Sequence, residues 1–210
     1  YKVSLSPDWS ALRRLALVST DLIVRNLSLG GTFLVGTSVA ARIGAAPVAA
    51  HQVAFHVWMM LALIMDGLAI AAQAMVGTAL GAGDGDDARR IGRRTIVWSV
   101  GVGISLGLVL LLAHSSVSGL FSNDPAVVGL AGFLLIHVGL MAPLAGVAFA
   151  LDGVLIGAGD QRFMAWAMAA SALLATVAMV AGRLADLGIG WLWGAIWLFV
   201  AVRSVILGAR

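Results

Sequence analysis

Trp58-Met-Met-Leu-Ala-Leu-Ile-Met-Asp-Gly-Leu-Ala-Ile-Ala-Ala-Gln-Ala-Met-Val-Gly77 is a run of apolar and small residues broken by one charge, Asp66, and one amide, Gln73. Crossing the ~30 Å hydrocarbon core of a bilayer takes roughly 20 such residues in a helix. The run therefore reads as a membrane span, which extends to Ala49–Leu80 when its apolar flanks are included. The rest of the chain repeats the pattern. Of 210 residues, 61% are hydrophobic and 11% charged, with 26 glycines and no cysteine. A soluble domain carries about 25% charged residues, so the apolar excess here must face lipid. The same counts exclude disorder, a disulfide scaffold and thiolate chemistry.

Five further stretches qualify, giving spans of about 15–41, 49–80, 95–114, 126–156, 164–182 and 189–207. The fold class expected is all-helical and integral to the membrane, with residues 1–210 forming a single six-helix unit. Pro143 is expected to kink the fourth span, because proline lacks an N–H and clashes with the preceding turn. Gly30, Gly31 and Gly36 in the first span would permit close packing or bending. A chain opening at Tyr1 rather than Met, with the polar segment Tyr1–Arg14 ahead of its first span, is expected to be a fragment.

Charge sets the orientation. An inside N-terminus places Lys2, Arg13, Arg14, Arg89, Arg90, Arg93, Arg94, Arg162 and Arg210 on the cytoplasmic side, against Arg42 and Arg183 outside. That bias puts both termini in the cytoplasm. It also explains the basic pI near 10.6 as a topology signal, so no nucleic-acid partner is expected. Ser122-Asn-Asp-Pro125 reads as an outer turn capping the fourth helix. Two short echoes, Asp66-Gly67 with Asp152-Gly153 and Gly81-Ala-Gly-Asp84 with Gly157-Ala-Gly-Asp160, read as reuse of a helix-breaking device.

Ionisable groups at membrane depth are costly and mark functional paths. On the second span, with Gln52 at zero and 100° per residue, His56 falls near +40°, Asp66 near −40° and Gln73 near −60°. Four polar side chains in one arc describe a helix lining a wet cavity, where a carboxyl group suits proton binding and release. Asp152 follows Pro143 and lies some 60° around its helix from His137, towards the end where headgroup water is within reach. His137 itself has the simpler reading of a hydrogen-bonded packing residue. Asp21 and Arg25, four apart, are expected to form an intrahelical ion pair. The alternative is that Arg25 trades partners between Asp21 and an acid on another helix. Arg203 is expected to snorkel to the cytoplasmic surface.

Enzyme readings fail on context. Gly103-Ile-Ser105-Leu-Gly107 matches a nucleophile motif that requires a strand–turn–helix elbow, whereas here it lies in a glycine-rich span. An intramembrane serine protease would want a late histidine, and the last two spans have none. No nucleotide-binding pattern is present, and the four scattered histidines suggest no metal cage.

Taken together, Thr20-Asp-Leu-Ile-Val-Arg-Asn26, Met65-Asp-Gly through Gly77, Ala79-Leu-Gly-Ala-Gly-Asp84, Leu151-Asp-Gly-Val-Leu-Ile-Gly-Ala158 and Val202-Arg-Ser204 resemble the C-terminal half of the multidrug and toxic compound extrusion family. The closer branch is the one named for the DNA-damage-inducible protein F. The resemblance implies one lobe of a twelve-helix antiporter, whose N-terminal lobe is the missing partner. It further implies export of lipophilic or cationic small molecules in exchange for H+ or Na+, with no other cofactor. By that resemblance Asp152 falls on the tenth helix of the whole, where several family members carry an acid implicated in cation coupling, and Asp66 on the matching Asp-Gly of the eighth. Gln73 stands where some relatives carry glutamate, which shifts the burden to Asp66. One lysine among thirteen basic residues points to a GC-rich bacterial genome and hence to a bacterial inner membrane. The other readings open at this point are a non-transporting membrane half or interaction protein and an unrelated six-span carrier.

Overall fold

The computed structural model describes the backbone of residues 9–210, and side chains for Trp9 and for residues 19–210. Among these lie six helices: α1 (Trp9–Ile43), α2 (Ala45–Gly81), α3 (Gly85–Phe121), α4 (Pro125–Gly157), α5 (Gln161–Leu184) and α6 (Gly188–Gly208). All six are long and apolar enough to cross a membrane. Most run past the expected spans, α3 by the largest margin. Hydropathy marks only the stretch embedded in hydrocarbon, whereas the hydrogen-bonded ladder continues into the headgroup layer. Lys2 and the side chains of Arg13 and Arg14, used in the charge count, lie outside the described residues.

Local chemistry sets the helix ends. The repeated Gly-Ala-Gly-Asp closes α2 and α4 in the same way. Gly83 and Gly159 take left-handed φ of 79° and 76°. The following amides of Asp84 and Asp160 then donate back to the carbonyls of Ala79 and Leu155, at 2.9 and 3.0 Å. This is the Schellman closure, and glycine suits it because the left-handed backbone carries no Cβ penalty there. The two aspartates then diverge. Asp84 caps α3 by accepting from the Asp87 amide at 2.8 Å. Asp160 instead accepts from Arg210 Nε at 2.8 Å, tying the end of α6 to the α4–α5 turn. Asp124 caps α4, accepting from the Ala126 amide at 2.9 Å, with Pro125 in the first helical turn.

Helix α4 is the axis of the bundle. It packs against α2, α3 and α6, while α5 bridges α1 and α6. Buried residues fall on several of its sides, in keeping with the central position, while Phe133 and Leu140 stay exposed. The contacts depend on glycine at Gly139, Gly146 and Gly153, spaced seven residues apart. A Cβ built on Gly146 would run into the Ser99 carbonyl of α3, and one on Gly153 into the Ala69 carbonyl of α2. From the other side, a Cβ on Gly103 would lie 2.5 Å from the Ala142 carbonyl, and one on Gly107 would strike the Gly139 carbonyl. Small residues bring backbones close enough for dispersion to hold helices together in lipid, where no hydrophobic drive exists between them. A seven-residue spacing keeps that seam in register between helices that supercoil left-handedly.

This seam also accounts for Gly103 and Gly107 of the nucleophile-like motif, whose serine is exposed and donates to the Gly101 carbonyl at 3.0 Å. The helix continues through Pro143 without interruption. Proline removes the N–H that would have bonded the Gly139 carbonyl, and Gly107 packs on that same carbonyl. At Gly30 and Gly31 no atom among the described residues lies within 4 Å of the missing Cβ position.

Gly146→Val should destabilise the bundle by about 1–3 kcal/mol, because a carbonyl rather than a flexible side chain occupies the space. Gly101→Ala, where the space is open, should stay within about 0.5 kcal/mol. Thermal unfolding of both variants in detergent, followed by tryptophan fluorescence, checks the ordering.

Candidate functional site

The sequence places polar groups on several helices, and the fold gathers part of them. A cleft of about 700 Å³ opens on the face made by α1 and α2, with Phe149 of α4 and Phe199 and Arg203 of α6 at its floor. Phe33, Phe55, Trp58 and Phe199 give it an aromatic, apolar wall. Its polar groups are Arg25, Asn26 and Thr37 from α1, Gln52 and Asp66 from α2, and Arg203. Asp66 is exposed on the cleft surface, with no ion-pair partner among the described residues.

Asp152 lies behind that floor. It is 2% exposed, rather than within reach of headgroup water as the sequence reading held. Its Oδ2 accepts from Arg25 Nη2 at 3.1 Å and from Arg203 Nη2. Two further expectations are corrected by this arrangement. Arg25 does not pair with Asp21 one turn away, but with an acid 127 residues distant. Arg203 does not snorkel to the surface: its side chain is 5% exposed, inserted against Asp152 and 5.6 Å above the Phe149 ring. The physical reason is common to both. In a low-dielectric interior a guanidinium group is drawn to a buried carboxylate, and Asp152 Oδ2 takes both, while Asp152 Oδ1, Arg25 Nε and Arg203 Nε are buried without a hydrogen-bond partner among the described residues. Of the alternative in which Arg25 trades partners between Asp21 and an acid on another helix, the structure contains the second partner, Asp152.

The four-residue stripe on α2 divides. Gln52 and Asp66 line the cleft, with Gln52 donating to Thr37 Oγ1 at 3.5 Å. His56 is exposed outside the cleft and its Nδ1 lies 2.7 Å from the Gln52 carbonyl. Gln73 lies over a separate shallow groove with Ile70, Gly77 and Gly157. The helical wheel ignores height: 21 residues separate Gln52 from Gln73, about 32 Å along the axis, more than the cleft spans. His137 is also remote. Its Nδ1 lies 3.0 Å from the Phe133 carbonyl and its ring meets the Phe133 edge, the packing role that was its simpler reading.

One residue escaped the sequence reading. His51 is fully buried between α1, α2 and α6, its Nε2 3.2 Å from Thr37 Oγ1 and its ring edge-on to Trp193. Gly36 lies opposite the imidazole. His51 braces Thr37, which in turn holds Gln52 at the cleft wall. The signal available was weak, since a lone histidine near a span's start carries no partner in sequence.

Comparison with known proteins agrees with this architecture. The MatE family profile matches residues 22–180. Protein DETOXIFICATION 45, chloroplastic, of Arabidopsis thaliana is 33% identical over 183 residues, 86% of this chain and 32% of that protein. The DNA damage-inducible protein F of Escherichia coli (strain K12) is 32% identical over 198 residues, 94% of this chain and 42% of that protein. A probable multidrug resistance protein NorM of Xanthomonas campestris pv. campestris is 33% identical over 162 residues, 74% of this chain and 34% of that protein. A solved MOP superfamily transporter from Pyrococcus furiosus superposes with a TM-score of 0.84 at 19% identity, covering 91% of this chain and 42% of that one. The chain thus spans about a third to two-fifths of the length of the curated relatives it matches. A multi-pass helical bundle with that profile across most of its length belongs to the MatE family.

Proposed function

We propose that this chain is one lobe of a secondary exporter in a bacterial inner membrane, both termini cytoplasmic, which moves lipophilic or cationic small organic molecules by alternating access in exchange for H+ or Na+. The observation that carries this reading is the cleft. An aromatic, apolar hollow of about 700 Å³, with a few polar groups, has the dimensions and character of a site for small organic compounds. It opens on the face of α1 and α2, which an N-terminal lobe would complete, and rocking of the lobes about that cavity would alternate its access. The printed name of the Xanthomonas relative, multidrug resistance protein, is in keeping with a substrate of this kind.

The charges lining the cleft divide the work. Arg25 and Arg203 are held by Asp152, whose carboxylate accepts from both and is closed to the cleft. It is therefore poorly placed to bind a sodium ion or a cationic substrate. Asp66 is the carboxylate that lines the cleft. A cation would set its charge against Asp66 and keep clear of the arginines, and the coupling ion would compete with it for the same carboxylate. Asp152, Arg25 and Arg203 then serve as the frame, and Gln52 and Asn26 as polar contacts for the substrate.

Two outcomes follow. In everted vesicles carrying the native-length protein, Asp66→Asn should reduce dye uptake driven by a proton or sodium gradient to that of vesicles lacking the protein, with membrane insertion unchanged. Uptake at the wild-type rate would refute coupling through Asp66. The frame should also be asymmetric. Arg203→Gln should cost about 3 kcal/mol of stability and Arg25→Gln about 1 kcal/mol, since their side chains are 5% and 21% exposed. Unfolding in detergent followed by tryptophan emission reads both, and equal losses would contradict the assignment.

A further inference from the structure

The cleft leaves α3 unused. No residue of this helix lines it, and among the described residues α3 packs chiefly on α4 and α2. The face turned away from them carries its own pattern, with Asp86, Arg89, Arg90, Arg93, Arg94, Val97 and Trp98 lining a hollow of about 470 Å³. Spacings of three and four residues put these side chains on one stripe, three turns long.

The acids nearby are already engaged. Asp84 caps the helix through the Asp87 amide. Asp87 holds Arg90 through both Nε and Nη2, at 3.1 and 2.5 Å. Asp86 reaches Arg89 at 3.5 Å in a pair that is almost wholly solvated. Arg93 and Arg94 are exposed, and no carboxylate pairs with either among the described residues. The stripe therefore offers two uncompensated guanidinium groups side by side.

Height supplies the second half of the argument. Helix α3 has 37 residues and is about 55 Å long, well beyond the ~30 Å hydrocarbon core. Its apolar run begins just after Arg94, so Arg93 and Arg94 stand level with the headgroups. Beyond them the exposed face turns apolar at once, with Val97 71% and Trp98 69% exposed. Ile104, Leu108 and Leu112 continue it down the helix as exposed large apolar side chains. A guanidinium pair at headgroup height above a largely apolar track, interrupted at Gly101 and Ser105, has the shape of one amphiphile, a phosphodiester with acyl chains.

We propose that this stripe of α3 binds an anionic phospholipid, with Arg93 and Arg94 on the phosphate, Arg89 and Arg90 at its rim, and an acyl chain lying along Val97 and Trp98. Guanidinium groups suit the task because their planar fork matches phosphate oxygens in pairs. Basic pockets at headgroup level are recognised sites for anionic lipid heads. The lipid would act as an annular anchor, fixing the depth of α3 and, through the glycine seam, that of α4.

Trp98 provides the readout. The native-length protein is reconstituted in phosphatidylcholine nanodiscs containing, at the same low mole fraction, either phosphatidylglycerol or phosphatidylcholine with brominated acyl chains. The Trp98 signal is the difference between wild type and Trp98→Phe. The expected result is quenching of that signal by the anionic lipid at about one-tenth of the mole fraction required for the zwitterionic one. Arg93→Gln/Arg94→Gln should remove the preference, and the conservative Arg93→Lys/Arg94→Lys should retain part of it. Arg162→Gln, an exposed arginine on another helix, should leave it intact. Equal quenching by the two lipids in the wild type would overturn the proposal, as would loss of the preference in Arg162→Gln, which would mean general charge attraction. Soluble glycerol phosphate that abolishes the preference would assign the site to a free phosphate ester rather than a lipid.

Discussion

One buried carboxylate holds the working face of this lobe together. Asp152, on the central helix, accepts from Arg25 of α1 and Arg203 of α6, so three helices that border the cleft converge on a single oxygen. Each ion alone would be costly at this depth, and sharing Oδ2 offsets part of that cost, while Asp152 Oδ1 and the Nε of each arginine stay without a hydrogen-bond partner among the described residues. Because the pair consumes Asp152, the cleft above it presents arginines on one side and leaves Asp66 as its carboxylate. Which aspartate is paired and which lines the open cleft follows from the helix neighbours that each has.

The frame requires close helices, and α4 provides them by omission of side chains. Glycine every seventh residue lets the carbonyls of Ser99 and Ala69 approach the α4 backbone. Asp152-Gly153 is the join between these two devices: the acid turns towards α1 and α6, and the next residue admits α2. Its sequence echo, Asp66-Gly67, has another use. Gly67 meets no other element, and Asp66 faces the open cleft. Identical dipeptides therefore serve opposite ends, according to whether the helix lies at the centre of the bundle or at its edge.

How far the sequence could be read follows from the range of each interaction. Six apolar helices, the cap at Asp124 and the double Gly-Ala-Gly-Asp closure depend on neighbours within five residues, and all were legible. Gln52 and Asp66 were legible as one face of one helix. The partners of Arg25 and Arg203 were not, because a helical wheel ranks Asp21 first and says nothing of an acid on another helix. Gln73 and His56 were grouped with Asp66 by angle alone: height separates Gln73 from the cleft, whereas His56, between Gln52 and Asp66 in height, lies around the helix outside it. The contact role of Gly139, Gly146 and Gly153 in α4 went unread, because it exists only once a second helix is placed.

The claim on which this account rests is that Asp152 and Arg203 stabilise the lobe through each other. A double-mutant cycle tests it, comparing unfolding free energies of the wild type, Asp152→Asn, Arg203→Gln and the double variant in the same detergent. The account predicts a coupling energy of about 2–3 kcal/mol, with the double variant far less impaired than the sum of the single ones. Additive losses, with coupling near zero, would show that the two side chains act independently and would remove the pin from which the cleft has been built.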